Sequence, residues 1–92
     1  MRVLASVRNR PTWIIGSPVA WQGAAGPEIG AVSVPLGFDI TEDGAGHFLL
    51  VCFAADGRYG ADTWHPTLDG AYESAEQQFG VQRDEWGPGQ DD

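Results

Sequence analysis

The sequence HFLLVCFAADGRYGADTW, residues 47–64, decides the fold and predicts a β-hairpin. Its first nine residues form an apolar run that is bounded by turn residues and is too short to cross a membrane. Asp56-Gly57 follows, and this dipeptide favours a two-residue type I′ turn because Gly accepts a positive φ without steric cost. The predicted register pairs Phe53 with Gly60, Val51 with Asp62 and Leu49 with Trp64. Since both faces of the first strand are apolar, we expect this strand to be central and covered on both sides.

Beyond the hairpin, the sequence predicts one helix near the C-terminus. Thr67 is a favourable N-cap, and Gly80 is a favourable residue to end the helix. Between them runs an apolar stripe with helical spacing, formed by Leu68, Ala71, Tyr72, Ala75 and Phe79. We therefore predict an α+β domain over residues 1–86, in which a mostly antiparallel sheet of four to six strands carries one C-terminal helix on one face. Residues 87–92 predict a disordered acidic tail, because nothing in them can be buried.

The N-terminal part of the chain predicts short strands interrupted by proline. Residues 2–8 alternate sufficiently for a strand, which we expect Asn9-Arg10-Pro11 to end. Residues 12–16 predict a second short strand, with residues 19–21 extending it beyond a kink. Because Pro18 cannot donate a hydrogen bond to a ladder, this region is expected at a sheet edge or a bulge.

The following segment predicts a loop and then a strand in two pieces. Residues 22–28, QGAAGPE, have the composition of a loop. Residues 29–34 and 36–41 predict strand pieces that are broken at Pro35, because proline in a central strand removes a ladder hydrogen bond.

Net charge is the most unusual global property of the chain. Thirteen acidic residues against five arginines, with no lysine, give a formal net charge of −8, and every acidic residue follows Arg10. A field of this sign repels nucleic acid and anionic membranes and speeds encounter with basic partners, while also serving solubility. No signal-peptide core or membrane-spanning run is present, and Cys52 alone cannot form an internal disulfide. We therefore expect a cytoplasmic protein.

Two histidines and a carboxylate suggest a small-ligand or metal site as the alternative to protein binding. The hairpin register places His47 just beyond Trp64 and beside His65, and Asp62 lies three residues before His65. Zinc needs three or four ligands, however, and Cys52 is predicted to be buried. We therefore expect these histidines to cap the end of the sheet and expect no cofactor. Catalysis is not predicted, because no nucleophile elbow or other catalytic motif is present.

One face of the predicted helix suggests a binding surface. Asp69, Glu73, Glu76 and Gln77 share the face opposite the apolar stripe, and the helix contains no basic residue to pair with the carboxylates. Asp84 and Glu85 continue this acidic face. Its functional interpretation is a docking surface for a basic protein, and the alternative is a solvated face, as most charged faces are.

Four tryptophans exceed what one helix on a small sheet needs for its core. Trp13 and Trp64 lie within predicted strands and are assigned to the core. Trp21, beside the glycine-rich loop, and Trp86, beside the tail, are candidates for interface anchors. The second face of the sheet is also apolar, so we expect the N-terminal segment, a partner or a second copy of the chain to cover it, the last as a homo-oligomer.

A set of short motifs resembles a pattern of small uncharacterised bacterial proteins. The motifs are Asp56-Gly57 at the turn, Asp62-Thr63-Trp64-His65 at the strand exit, Phe79-Gly80 at the helix end, and Trp86. The pattern is also similar to immunity proteins, a resemblance that implies binding and neutralising a toxin in the cytoplasm and supplies no catalytic residue. The expected function is a non-enzymatic, cytoplasmic protein-interaction module that binds a basic protein.

Overall fold

The computed structural model describes residues 2–24 and 26–89 and confirms the predicted α+β class. Across these residues, six strands form one curled, antiparallel sheet in the order β2-β1-β3-β4-β5, with β6 beside β1. A single α-helix packs against the sheet. The elements are β1 Arg2–Ser17, β2 Ala20–Ala24, β3 Ala31–Glu42, β4 Phe48–Ala54, β5 Gly60–His65, α1 Leu68–Phe79, a 3₁₀ helix Arg83–Glu85 and β6 Gly87–Pro88.

The hairpin of β4 and β5 has the predicted register but a wider turn. The pairs run from Phe53 with Gly60 to Phe48 with His65. The prediction of a type I′ turn is wrong, because Asp56 does not take a positive φ. Instead, the Gly57 amide donates to the Ala54 carbonyl (3.0 Å), and the Ala54 amide donates to the Tyr59 carbonyl (2.9 Å). The loop has gained one residue on each side, which leaves the register unchanged.

β1 is one continuous strand, so the prediction that Asn9-Arg10-Pro11 ends it is wrong. Val7 pairs with Phe38 and Arg10 pairs with Leu36, so β1 advances three residues while β3 advances two. This extra residue is a β-bulge, and Asn9 has the positive φ of 52° that the irregularity requires. The bulge places Arg10 on the same face of the sheet as Val7, which is the face that α1 covers.

Pro35 does not break β3, contrary to the prediction of two strand pieces. It pairs with Pro11 of β1. Because the two residues without an N–H group face each other, their missing donors disturb the ladder at one position instead of two. β4 ends opposite Leu36, so no residue of β4 pairs with Pro35.

The segment after β1 turns back instead of extending it beyond a kink. Ser17 pairs with Ala20 across a turn at residues 18–19, and β2 then runs antiparallel to β1. The predicted loop at residues 22–28 is therefore wrong for its first three residues, which belong to β2. β1 lies between β2 and β3, so the predicted edge position applies to β2.

Helix α1 begins and ends where the sequence predicts. Thr67 Oγ1 accepts a hydrogen bond from the Gly70 amide (3.0 Å), and Gly80 adopts the left-handed conformation at φ 75°. The Gly80 amide donates to the Glu76 carbonyl, as in an αL cap, and the Val81 amide donates to the Ala75 carbonyl, so two carbonyls at the end of the helix are satisfied. The predicted apolar stripe faces the sheet.

The core lies between α1 and one face of the sheet. Ala71, Ala75 and Phe79 of the helix pack with strand residues of this covered face. Its largest fully buried side chains are Phe38, Ile14, Leu36, Ile40 and Val81. Cys52 is buried there, as predicted.

The opposite face of the sheet, here called the open face, is only partly covered. Leu49, Val51 and Phe53 alternate with the buried residues of β4 and are half-buried. The N-terminal segment lies within the sheet as β1 and does not fold over this face. Arg8 contacts it, with its guanidinium carbon 5.1 Å from the ring centroid of Phe53.

The chain returns to the sheet after α1, so the predicted tail begins too early. Gly87 and Pro88 form β6 and pair with Ser6 and Ala5, and the Gly89 amide donates to a carbonyl of β1. The prediction of disorder is wrong for residues 87–89, because this short strand uses a part of the β1 edge that β2 leaves free. Residues 90–92 of the predicted tail lie outside the described residues.

Candidate functional site

The predicted acidic residues form one flank of α1 and continue into the 3₁₀ helix. Asp69, Glu73 and Glu76 are spaced i, i+4 and i+7, which places them along one side of an α-helix. All three are exposed, as are Asp84 and Glu85 after the helix. We call these five residues the acidic flank.

Arginines neutralise two members of the acidic flank. Asp69 Oδ1 lies 3.2 Å from Arg83 Nη2, and the Arg83 guanidinium carbon lies 4.5 Å from the centroid of the Tyr72 ring. Glu85 accepts hydrogen bonds from Arg10 Nε (2.6 Å) and Nη2 (3.2 Å). The bond to Arg10 lowers the pKa of Glu85 below its ordinary value of 4.5, and the Gln82 amide contributes to this shift. Asp69 and Glu85 therefore take part in structural pairs.

The other three members differ from this pair. Within residues 2–24 and 26–89, no ion pair is found for Glu73, Glu76 or Asp84. Two further arginine pairs lie elsewhere, with Arg8 on Asp39 (2.7 Å) and Arg58 on Asp56 (2.7 Å). An exposed group of like charges without counter-ions is available to a basic partner.

Arg10 holds the acidic flank to the sheet, and sequence reasoning missed it. Its guanidinium donates to the carbonyls of Phe79 (3.4 Å) and Gly80 (3.1 Å) as well as to Glu85. The last turn of α1 contains no basic residue. Because a cation is favourable at a helix C-terminus, this lack was the signal that an arginine from elsewhere in the chain could occupy the position.

The two tryptophans predicted as anchors pack against the core. Trp86 is half-buried, with its ring centroid 5.5 Å from that of Tyr72 and 6.5 Å from that of Phe38. Trp21 is also half-buried and contacts the rings of Tyr59 (5.6 Å) and Phe79 (6.2 Å). Both can present only one side of the ring to a partner.

The assignment of Trp64 to the core is wrong. Its side chain is 55% exposed on the open face, where its ring lies 5.0 Å from the imidazole of His47. The cause is that β5 is an edge strand, so its outward-facing residues have neighbours on one side only. Trp13 is half-buried.

The predicted histidine corner is divided between the two faces of the sheet. His47 contacts Trp64 on the open face and lies 3.3 Å from Asp43. His65 lies beside the first turn of α1, and its Nε2 is 2.8 Å from Thr63 Oγ1. Asp62 is exposed on the open face, opposite Val51. In the described part of the chain, no group of three His, Cys, Asp or Glu residues is placed to hold a metal ion.

Cys52 has the properties of a core residue. Burial raises the pKa of its thiol to about 11. A thiol with this pKa is almost entirely protonated at neutral pH and is therefore a poor nucleophile.

The opposite flank of α1 is uncharged and borders a cleft. Gln78 lies on this side together with Phe79, Gln77 lies between this side and Glu73, and we call the two glutamines the amide flank because both line the cleft. The cleft has a volume of about 480 Å³ and is also lined by Trp21 and Gly23 of β2 and by Ala61 of β5. Since β2 and β5 end the sheet at its two sides, the curl of the sheet brings both edges to one cleft.

Across the described residues, no helix has the length and apolar composition needed to span a bilayer. Comparison with protein-family models, curated proteins and solved structures finds no match for this chain.

Proposed function

We propose that the protein is a non-enzymatic interaction module that binds a basic protein through the acidic flank of α1. The observation that supports this proposal is the set of exposed carboxylates at Glu73, Glu76 and Asp84, for which no ion pair is found in residues 2–24 and 26–89. The immunity-type resemblance of the sequence fits the same mode of action, in which a small acidic protein blocks a basic partner in the cytoplasm.

The charge distribution favours fast and selective association. The acidic flank projects from a chain whose formal net charge is −8. Such a field attracts a basic partner before contact and repels acidic proteins, so it contributes to the association rate and to specificity. Because surface charges are screened at distances beyond about 8 Å at physiological ionic strength, this binding is expected to weaken as salt is added.

Core packing and ion pairs hold the elements that carry the acidic flank in place. The apolar stripe of α1 is buried in the core, and Arg10 and Arg83 connect the 3₁₀ helix to the sheet and to α1. Charged side chains on elements held in this way keep their relative positions, which lowers the entropy cost of binding.

The test is affinity capture from cells that produce the protein, followed by mass spectrometry. The bait variants are Glu73→Arg with Asp84→Arg, and a matched control that reverses two exposed acids elsewhere, Glu28→Arg with Asp56→Arg. Both double variants change the net charge by the same amount, so they separate the flank from the overall field. Circular dichroism and thermal unfolding establish that each variant is folded.

We expect a basic protein to be captured stoichiometrically by the natural chain and by the control, and to be lost with the flank variant. Addition of salt should reduce its capture. Equal loss with both double variants would assign binding to overall charge, and equal retention would show that the acidic flank is only a solvated surface. Either result would reject the proposal.

A further inference from the structure

We propose that the cleft beside the amide flank binds an extended peptide segment of another protein, which adds as a strand to the free edge of β5. This surface is separate from the acidic flank, and the inference does not depend on the function proposed above.

The first argument is the unpaired backbone at the two outer edges of the described sheet. Strands β2 and β5 each pair with one neighbour in the described sheet, so the outer edge of each has no strand partner there. A sheet edge presents a row of N–H and C=O groups that can pair with another chain. Gly60–His65 contains neither lysine nor proline and pairs without a bulge along its whole length, and Asp62 is the one charged residue on this edge strand.

The second argument is that both edges border one cleft of suitable size. Gln22 and Gly23 of β2 and Ala61 of β5 line it together with the last turn of α1, and its volume of about 480 Å³ lies within the range of ligand sites. Two further spaces border β5: one of about 20 Å³ beside Cys52 and Thr63, and one of about 400 Å³ that extends onto the open face beside Val51 and Asp62. The cleft beside the amide flank is therefore the space that touches both β2 and β5.

The third argument is the chemistry of the lining. The half-buried Trp21 provides apolar surface for a side chain of the peptide. Gln22, Gln77 and Gln78 provide amide groups, which can both donate to and accept from a peptide backbone. Ala61 is small and exposed and allows close approach of a backbone. Main-chain hydrogen bonds that give affinity, with a pocket for alternate side chains, are the features of strand addition.

The fit favours a single flexible segment over a second copy of this protein. A segment in the cleft has β5 on one side and β2 on the other, so both of its own edges must be free. A strand that belongs to a folded sheet has at most one free edge. A second copy would also bring another net charge of −8 to the same place. The occupant is therefore an extended, uncharged or basic segment.

The test uses the heptapeptide Thr-Val-Thr-Leu-Thr-Val-Thr, acetylated and amidated at its ends so that it carries no charge. Its matched control has the same side chains but N-methyl groups on alternate backbone amides, which remove hydrogen-bond donors. The ¹⁵N-labelled full chain is titrated with each peptide to about 1 mM, a concentration that detects weak ligands, and amide shifts and hydrogen exchange are recorded.

We expect the heptapeptide to shift the amides of Gly60–His65, to slow their hydrogen exchange, and to change the fluorescence of Trp21. The N-methylated peptide should bind at least about tenfold more weakly, since each lost backbone hydrogen bond contributes to affinity. Ala61→Lys, which places a charge on the exposed edge, should also weaken binding about tenfold or more, while Ala45→Lys in the β3–β4 loop should not.

Three results would overturn the proposal. They are no change at β5 at the highest peptide concentration, equal binding of the two peptides, and shifts that map to the acidic flank instead of the cleft. Thermal unfolding of both lysine variants shows whether a loss of binding comes from a loss of fold. Charge reversal at Glu73 and Asp84 should leave peptide binding unchanged, so this test and that of the acidic flank can fail independently.

Discussion

The two flanks of helix α1 have the same support but opposite chemistry. The acidic flank continues from α1 into the 3₁₀ helix and carries five carboxylates, whereas the amide flank borders the gap between β2 and β5 and holds Gln77 and Gln78. On the acidic flank, side-chain charge is the group available to a partner. On the amide flank, the available groups are the backbone edges of the neighbouring strands.

This difference shows that the chemical groups that a helix surface offers depend on the elements that lie beside it. Both flanks lie beside the same buried stripe. Helical periodicity identifies this stripe, but it does not show what each flank faces. The acidic flank meets a chain segment that Arg10 and Arg83 tie down, and the amide flank meets two strand ends that have no further partner in the described sheet. The curl of the sheet produced this asymmetry.

Removal of Phe79 should damage both flanks and have the largest effect. Phe79 is buried, its ring centroid lies 5.0 Å from that of Phe38, and its side chain fills the space above Gly23. Phe79→Ala should lower the free energy of unfolding by about 3–5 kcal/mol, since it leaves a cavity below the end of the helix. Urea unfolding measures this loss. Gln77→Ala, in the same turn but exposed, should change stability by no more than about 0.5 kcal/mol, and an equal loss in both variants would contradict the assigned packing.

Removal of Arg10 should affect the acidic flank alone and have an intermediate effect. Arg10→Met keeps the aliphatic part of the side chain but loses the hydrogen bonds to Glu85 and to two carbonyls at the helix end. We expect a loss of about 1–2 kcal/mol in urea unfolding, because the groups left behind are only partly exposed. Hydrogen exchange of residues 80–86 should accelerate while that of β5 stays the same.

The matched control for Arg10 is Arg58→Met. Arg58 also pairs with a carboxylate, but both side chains are more than half exposed, so its loss should cost less than about 0.5 kcal/mol. If the two arginine variants lose similar stability, the contacts of Arg10 with the helix end have no special importance.

The smallest expected effect is the pH-dependent contribution of Glu85 to the free energy of unfolding. Its pKa is lowered in the folded protein, chiefly by the hydrogen bond from Arg10, so its stabilisation is present above pH 4.5 and is lost as the pH falls through the folded pKa. Glu85→Gln should cost about 0.5–1 kcal/mol at pH 7, and this difference from the natural chain should vanish in acid. Urea midpoints measured from pH 7 to pH 3 test this.

Glu73→Gln is the control for the pH experiment, because Glu73 has no ion pair within residues 2–24 and 26–89. Its effect on stability should be small at pH 7. A difference for Glu85→Gln that stays constant with pH would mean that its ion pair with Arg10 does not stabilise the folded state.

Elements with local signals could be predicted from the amino-acid sequence. Thr67 and Gly80 mark the ends of α1 through hydrogen bonds within one turn of the helix, and the apolar stripe between them fixes which side is buried. The β4–β5 register followed from the position of the turn, and it held although the turn geometry was different, because widening a loop equally on both sides preserves the pairing.

Other features depended on distant residues, and only the tertiary structure decided them. Considered separately, Pro11 and Pro35 each predict the end of a strand. Both strands continue because the two prolines pair with each other. The bulge at Asn9 continues β1, and it also directs Arg10 to a helix end that lies about seventy residues away in sequence.

The two candidate surfaces also differ in whether a local sequence signal predicts them. Periodicity predicted the acidic flank, because the spacing of charges along a helix is a local property. It could not predict which carboxylates are paired, since Arg10 and Arg83 approach from other elements. The cleft between β2 and β5 has no local signal, because it exists only where a curled sheet brings its first and last edges together.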